Sequence, residues 1–247
     1  MRNGLRLCGL LLAASPALWA SGLCSSLVTL QDYINQGIGG CQFGNAIFSN
    51  FSYTYNLDLI PGNPDNVDPN VTASEVQVTA SGSAFSPVLN FQAVWTASDG
   101  FLTQIDIGYT VSVPPALPIE GTSVAFSGTV EDLGPDPPYA PSDVMGTINF
   151  STSLTTLNPS LYPSTCPPLP NLCSAQGATN LNGVQQVTVG DLITLNSGGA
   201  NGSSPNTATL SDFQQTFSEI PEPSTLLAAG LGLLVCGWLA ARKTRRA

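Results

Sequence analysis

Through the middle of the chain, apolar and polar residues alternate with a period of two. In FSNFSYTYNLDLI, Phe51, Tyr53, Tyr55, Leu57 and Leu59 share one side while polar residues fill the other. Val76 and Val78 keep the period, Phe91 to Thr96 carry it on, and Ile105, Ile107, Tyr109, Val111 and Val113 repeat it. Val124, Phe126 and Val130 predict a further strand, as do Ile148, Phe150 and Leu154. Val187 to Leu195 and Ala208 to Phe217 close the series. Successive side chains of a strand point to opposite faces, so each run predicts a half-buried strand. Clusters of Gly, Pro, Asn and Asp separate the runs. The expectation is an all-β body, an antiparallel β-sandwich of jelly-roll-like or immunoglobulin-like form. The Pro-rich stretches Pro61 to Pro69, Pro135 to Pro141 and Pro159 to Pro170 read as loops between strands.

Three segments break the two-residue period. Thr29-Leu30-Gln31-Asp32 has a capping-box pattern, and Gly37 follows as a stop, so a short helix is predicted there. At the start, Arg2 and Arg6 precede the apolar run LCGLLLAASPALWA and small residues, the layout of a secretory signal peptide over 1–22 with cleavage after Ala20 or Gly22. At the other end, Leu226 to Ala241 contains no charge and predicts a transmembrane helix slightly short of a full span.

Charge gives these ends their meaning. All 16 acidic residues lie between Asp32 and Glu222, and the six basic residues lie only at the ends. From Leu7 to Ala241 there is no Lys, Arg or His. Such a body repels phosphates, which excludes nucleic acid as a partner. Arg242, Lys243, Arg245 and Arg246 after the apolar run act as a stop-transfer clamp and hold the C-terminus in the cytoplasm by the positive-inside rule. With an exported N-terminus, the acidic body of 23–219 is placed outside.

The tail carries a more specific pattern. Pro221-Glu222-Pro223-Ser224-Thr225, then a Leu- and Gly-rich apolar run, then an Arg-rich end, resembles the PEP-CTERM sorting signal of bacterial exosortase substrates. The resemblance covers 220–247. It implies an exosortase as processing partner, cleavage near the Pro-Glu-Pro, and transfer to the cell surface or extracellular matrix. Pro221 and Pro223 would keep the segment extended where a protease can read it. TLQDYI, then GGC, then FSNFSYT resembles the opening of many PEP-CTERM proteins and implies no activity.

Cysteine use fits export. Cys8 and Cys236 lie in the end segments. The body keeps Cys24, Cys41, Cys166 and Cys173, which permit three pairings. The favoured pairs are Cys24–Cys41 around the short helix and Cys166–Cys173 around CPPLPNLC, since an oxidising compartment disfavours free thiols.

Catalytic chemistry has little to work with. Without His or Lys, Ser-His-Asp, Cys-His and Ser-Lys arrangements all lack their base, and His-type zinc sites fail likewise. A pair of carboxylates could still serve a glycoside hydrolase, but Trp95 is the sole Trp between the end segments and offers little platform for a sugar. Asp65, Asp68 and Asn70, in PGNPDNVDPN, supply oxygens of the kind that ligate calcium. They miss the EF-hand template, because Ala73 stands where Gly is needed and no Glu closes the loop. Asp and Asn also simply favour turns. Glu131-Asp132 through Asp136 is a second acidic loop of the same kind. The expectation is a non-catalytic, exosortase-sorted surface or matrix protein without a cofactor. The alternatives are a calcium- or carbohydrate-binding module that meets extracellular polysaccharide and, from another class, a carboxylate-dependent glycoside hydrolase.

Overall fold

The computed structural model describes residues 22–58, 70–98, 102–131, 143–150, 156–157, 160–161, 173–197 and 207–219. The strands are β1 (Gly22–Leu23), β2 (Cys41–Phe43), β3 (Ala46–Asp58), β4 (Gln77–Ser83), β5 (Ser86–Ser98), β6 (Leu102–Ser112) and β7 (Ile119–Glu131). They continue as β8 (Asp143–Phe150), β9 (Thr156–Leu157), β10 (Ser160–Leu161), β11 (Cys173–Val184), β12 (Gln186–Asn196) and β13 (Thr207–Glu219). Among the described residues they form two sheets. One runs β1-β2-β3-β6-β12-β8-β10, with β9 also on β8, and the other runs β11-β7-β13-β5-β4. All pairings are antiparallel except β1 with β2. The all-β sandwich expected from the two-residue period is therefore present.

The inner faces carry the alternating residues. Ile105, Ile107, Tyr109 and Val111 of β6 and Val187, Val189, Ile193 and Leu195 of β12 are buried against Leu89, Phe91 and Trp95 of β5 and Phe213 and Phe217 of β13. A chain of rings crosses the interior from Tyr33 to Phe51 (5.1 Å), Tyr109 (5.3 Å), Phe91 (6.1 Å), Phe213 (5.1 Å) and Phe126 (5.6 Å). Such pairs add about 1 kcal/mol each beyond the area they bury. Trp95 Nε1 donates across the sandwich to Tyr53 Oη at 3.2 Å, and Tyr53 Oη donates to the Val71 carbonyl at 2.8 Å, so both polar tips are satisfied.

Two bulges correct the period. In β3 the register with β6 shifts between Ser49 and Ser52, around Asn50 at a φ of 54°. Ala46 and Phe48 point inward before it and Phe51 after it. In β13 the shift falls between Leu210 and Asp212. Ala208 and Leu210 are buried on one side of Ser211, and Phe213, Gln215 and Phe217 on the other. One extra residue flips every later side chain to the opposite face.

Outside the sheets, Thr29 caps α1 (Leu30–Asn35). Its hydroxyl accepts from Asp32 N, and the Asp32 carboxylate accepts from Thr29 N, the capping box read from the sequence. The Val28 and Leu30 segment lies along β4, with Val78 N donating to Val28 O and Leu30 N to Val76 O, both at 2.8 Å. No helix among the described residues is long and apolar enough to cross a membrane. The expected signal and transmembrane helices fall outside those residues.

Candidate functional site

The first candidate is the place where the body passes into the tail. β13 lies between β7 and β5, so the last strand of the body is also an interior strand of its sheet. It ends at Glu219, which is opposite Ile119 and whose N–H donates to Phe85 O at 2.9 Å. The Glu219 side chain is buried. The Asn45 amide lies beside it but gives its hydrogen to the Ala84 carbonyl at 2.9 Å, and neither Glu219 carboxylate oxygen has a donor. Burial pushes this carboxyl up to about 7, against a smaller opposing pull from Asn45. Two residues further on comes Pro221, within about 7 Å of chain at full extension. Pro221 to Thr225 and the basic residues Arg242, Lys243, Arg245 and Arg246 lie outside the described residues.

The second is the N-terminal clip. Cys24 and Cys41 form a disulfide with Cα atoms 4.9 Å apart and 17 residues between them in sequence. Closing a loop of that length stabilises the fold by about 3 kcal/mol through the unfolded chain. The loop holds α1, whose buried Tyr33 donates from Oη to Cys24 O at 3.1 Å. Cys166 lies outside the described residues, and so does the side chain of Cys173, which opens β11. Asp65 and Asp68 also lie outside them, and Asn70 is exposed. Among the described residues no three His, Cys, Asp or Glu side chains come together as metal ligands.

The third was not anticipated from the sequence. Three polar side chains on three strands meet in the interior, and a fourth, on a neighbouring strand, lies diagonal to one of them. Tyr109 Oη on β6 donates across the sandwich to Gln215 Oε1 on β13 at 2.8 Å. Gln215 Nε2 donates to Thr122 Oγ1 on β7 at 3.2 Å, and Thr122 Oγ1 donates to Thr216 O at 2.9 Å. Asp191 on β12 is fully buried, and neither of its carboxylate oxygens has a hydrogen-bond partner. Val189 sits opposite Tyr109 in the β12–β6 ladder, which makes Asp191 the diagonal neighbour of that tyrosine. Burial drives the Asp191 carboxyl well above the usual carboxylate range, with exposed Asp106 adding to it. Burial and then Asp191 raise Tyr109 as well, so its hydroxyl keeps its proton and remains a donor. The signal was present in VTVGDLITL, where Asp191 takes a turn in the alternation that otherwise places Val187, Val189, Ile193 and Leu195 in the core. Gln215 stands likewise between Phe213 and Phe217.

Residues 219–246 match the PEP-CTERM protein-sorting motif. No curated protein matches the chain. Among solved structures, TmCBM61 in complex with β-1,4-galactotriose is similar at 11% identity and a TM-score of 0.31, over 69% of this chain and 88% of that one. The CBM22-1 xylan-binding domain from Paenibacillus barcinonensis Xyn10C is similar at 12% identity and a TM-score of 0.24, over 67% and 85%.

Proposed function

We propose, from a chain that carries a PEP-CTERM sorting motif directly after its last core strand, that the protein is an exosortase substrate. On this reading it is exported, held in the inner membrane by its C-terminal helix, cut near Pro221-Glu222-Pro223 and released to the cell surface or extracellular matrix. The body of 23–219 is the cargo and has no catalytic role. The observation that carries this reading is the sorting-motif match at 219–246. The geometry of β13 is compatible with it. Among the described residues its last pairing is Glu219 with Ile119, so a cut a few residues before the motif would open the five-stranded sheet. At the other end, Gly22 pairs with Cys41 in β1, which favours signal cleavage after Ala20 over cleavage after Gly22.

The non-catalytic reading rests on the body's chemistry. It lacks His, Lys and Arg, and among the described residues the one carboxyl in its interior away from the strand ends, Asp191, is sealed between the sheets rather than set in a cleft. The test follows the tail. Mass spectrometry of the surface-released form is expected to find a C-terminus near Pro221-Glu222-Pro223, with Trp238 and the four basic tail residues gone. Deleting those three motif residues is expected to leave the full chain in the inner membrane. A mature surface form that retains Trp238 and Arg246 would make the segment a permanent anchor and end the exosortase reading.

A further inference from the structure

The interior network contains more polar chemistry than packing requires. Tyr109, Gln215 and Thr122 satisfy one another, yet Asp191 is buried beside them with two orphan oxygens, and buried polar groups without partners are rare and costly. Taken by function, the four groups are a hydroxyl, a carboxamide, a proton donor on the carboxamide oxygen, and a neighbouring acid. We infer that Thr122 and Gln215 join in an intramolecular ester, a covalent cross-link between β7 and β13 that the folded protein makes on itself with release of ammonia.

The reaction balances without any co-reactant. Thr122 Oγ1 attacks Cδ of Gln215, and an O–C bond forms. The Cδ–Nε2 bond breaks, the hydroxyl proton passes to Nε2, and the nitrogen leaves as ammonia; nothing is oxidised or reduced. Oγ1 accepts from Nε2 at 3.2 Å, and Nε2 is bonded directly to the carbon under attack. The hydroxyl proton lies on the Thr216 carbonyl at 2.9 Å, which leaves an Oγ1 lone pair toward Gln215, and it turns to Nε2 as that nitrogen becomes the leaving amine. As Cδ becomes tetrahedral, negative charge collects on Oε1, where the Tyr109 hydroxyl already donates at 2.8 Å. A donor fixed in advance in a buried interior is the arrangement that stabilises such charge best. Asp191, diagonal to Tyr109, is a positioning residue: a neutral carboxyl there leaves the developing charge unopposed.

Composition and topology single out this pair. With no Lys between Leu7 and Ala241, a cross-link from an amine to a carboxyl or carboxamide is closed to the body, and a hydroxyl with a carboxamide is the pairing that remains. Phe217 sits opposite Thr122 in the β13–β7 ladder, so Gln215 is its diagonal neighbour across two hydrogen-bonded strands. The ester would close a loop between residues 93 apart in sequence, and it would tie down the strand that leads into the sorting tail.

Mass decides it. The full chain, purified with its Cys24–Cys41 disulfide formed and a β-type circular dichroism spectrum, is then reduced and unfolded. Its mass is expected to fall below the sequence mass by one ammonia, about 17 mass units. Digestion after Glu should yield no free 121–131 fragment; that fragment should appear joined to 132–219, and hydroxylamine, which cleaves esters, should release it. Thr122→Val should restore both the full mass and the free fragment. Tyr109→Phe should slow cross-linking about a hundredfold. A folded wild-type chain with the full mass and a free 121–131 fragment overturns the inference. So does a loss of 17 that survives in Thr122→Val.

Discussion

At the end of the sandwich where β13 stops, strands are joined by short turns that lock against one another. Gly44 and Asn45 join β2 to β3, Ala84 and Phe85 join β4 to β5, and these turns from opposite sheets are pinned by Asn45 Nδ2 to Ala84 O at 2.9 Å. Val113 N donates to Gln185 O at 2.9 Å, so the β11–β12 connection is fastened as well. At the opposite end β3, β5, β7 and β12 finish, and β6, β8 and β13 begin. The segments leaving that end carry Asp58, Asp65, Asp68, Asp99, Glu131, Asp132, Asp136 and Asp143, half of the 16 acids in the chain. The tight end adjoins the sorting motif, and the acidic end faces away from it. The difference divides the labour: hydrogen-bonded turns surround the end of β13 that leads toward the sorting motif, while half of the chain's acids fall in the sequence leaving the opposite end.

The sharpest way to break this contrast is to disturb the tight end. Gly44 has a φ of 60°, and a Cβ there would run into the Ala84 backbone. Gly44→Val is therefore expected to cost about 3 kcal/mol or more, read as a loss of denaturation midpoint. Two residues inserted between 62 and 66 should cost no more than about 0.6 kcal/mol. Equal costs at the two sites would erase the distinction.

An intermediate effect is expected from pH. The Glu219 carboxyl is raised by burial from 4.5 to about 7, and burial raises Asp191 as well. Raised carboxyls contribute stability in full below their unfolded pKa, and that contribution is lost as pH climbs through the folded value. The melting temperature should thus fall between about pH 4.5 and 7 as Glu219 ionises, and Asp191, raised in the same direction, adds a loss of the same sign. Asp32 and Glu75 work the other way: hydrogen bonds lower both, from Thr29 and Val28 in one case and from Thr72 in the other. Their contribution is lost only as pH drops below about 4. Glu219→Gln should flatten the slope between pH 5 and 7; a slope identical to wild type would remove Glu219 as its source.

The smallest effect is assigned to calcium at the acidic end. Calcium at several millimolar should raise stability by at most about 1 kcal/mol, as expected for a weak extracellular-type site. Asp68→Ala should abolish the gain and change nothing in chelator. Equal melting temperatures for wild type in calcium and in chelator would leave those acids as turn-forming residues.

How much of this could be read from the chain depends on what each signal encodes. Period-two runs revealed the long strands, because each has one face in the core. β11 was missed. Its sequence, CSAQGATNLNGV, buries Leu181 fully and only partly covers Ala175 and Val184, since it is the outer strand of its sheet and pairs on one side with β7. The bulges at Asn50 and Ser211 were not legible either, because the extra residue shows only in register. Local chemistry was easier: Thr29 with Asp32, and Cys24 with Cys41, are contacts between residues close in sequence. The interior quartet joins residues up to 106 apart. Only the wrong-polarity residues Asp191 and Gln215 hinted at it.

The position of β13 also bears on timing. β5 and β7 each pair with β13 and not with each other, so the five-stranded sheet stays in pieces until residues 207–219 arrive. On the proposed route the N-terminus crosses first, and these are the last residues of the body to emerge. The sandwich then closes only when Pro221-Glu222-Pro223 reaches the membrane surface. Completion of the cargo and presentation of its address become nearly one event, and a stalled or truncated chain would have neither a finished fold nor a signal to be sorted by.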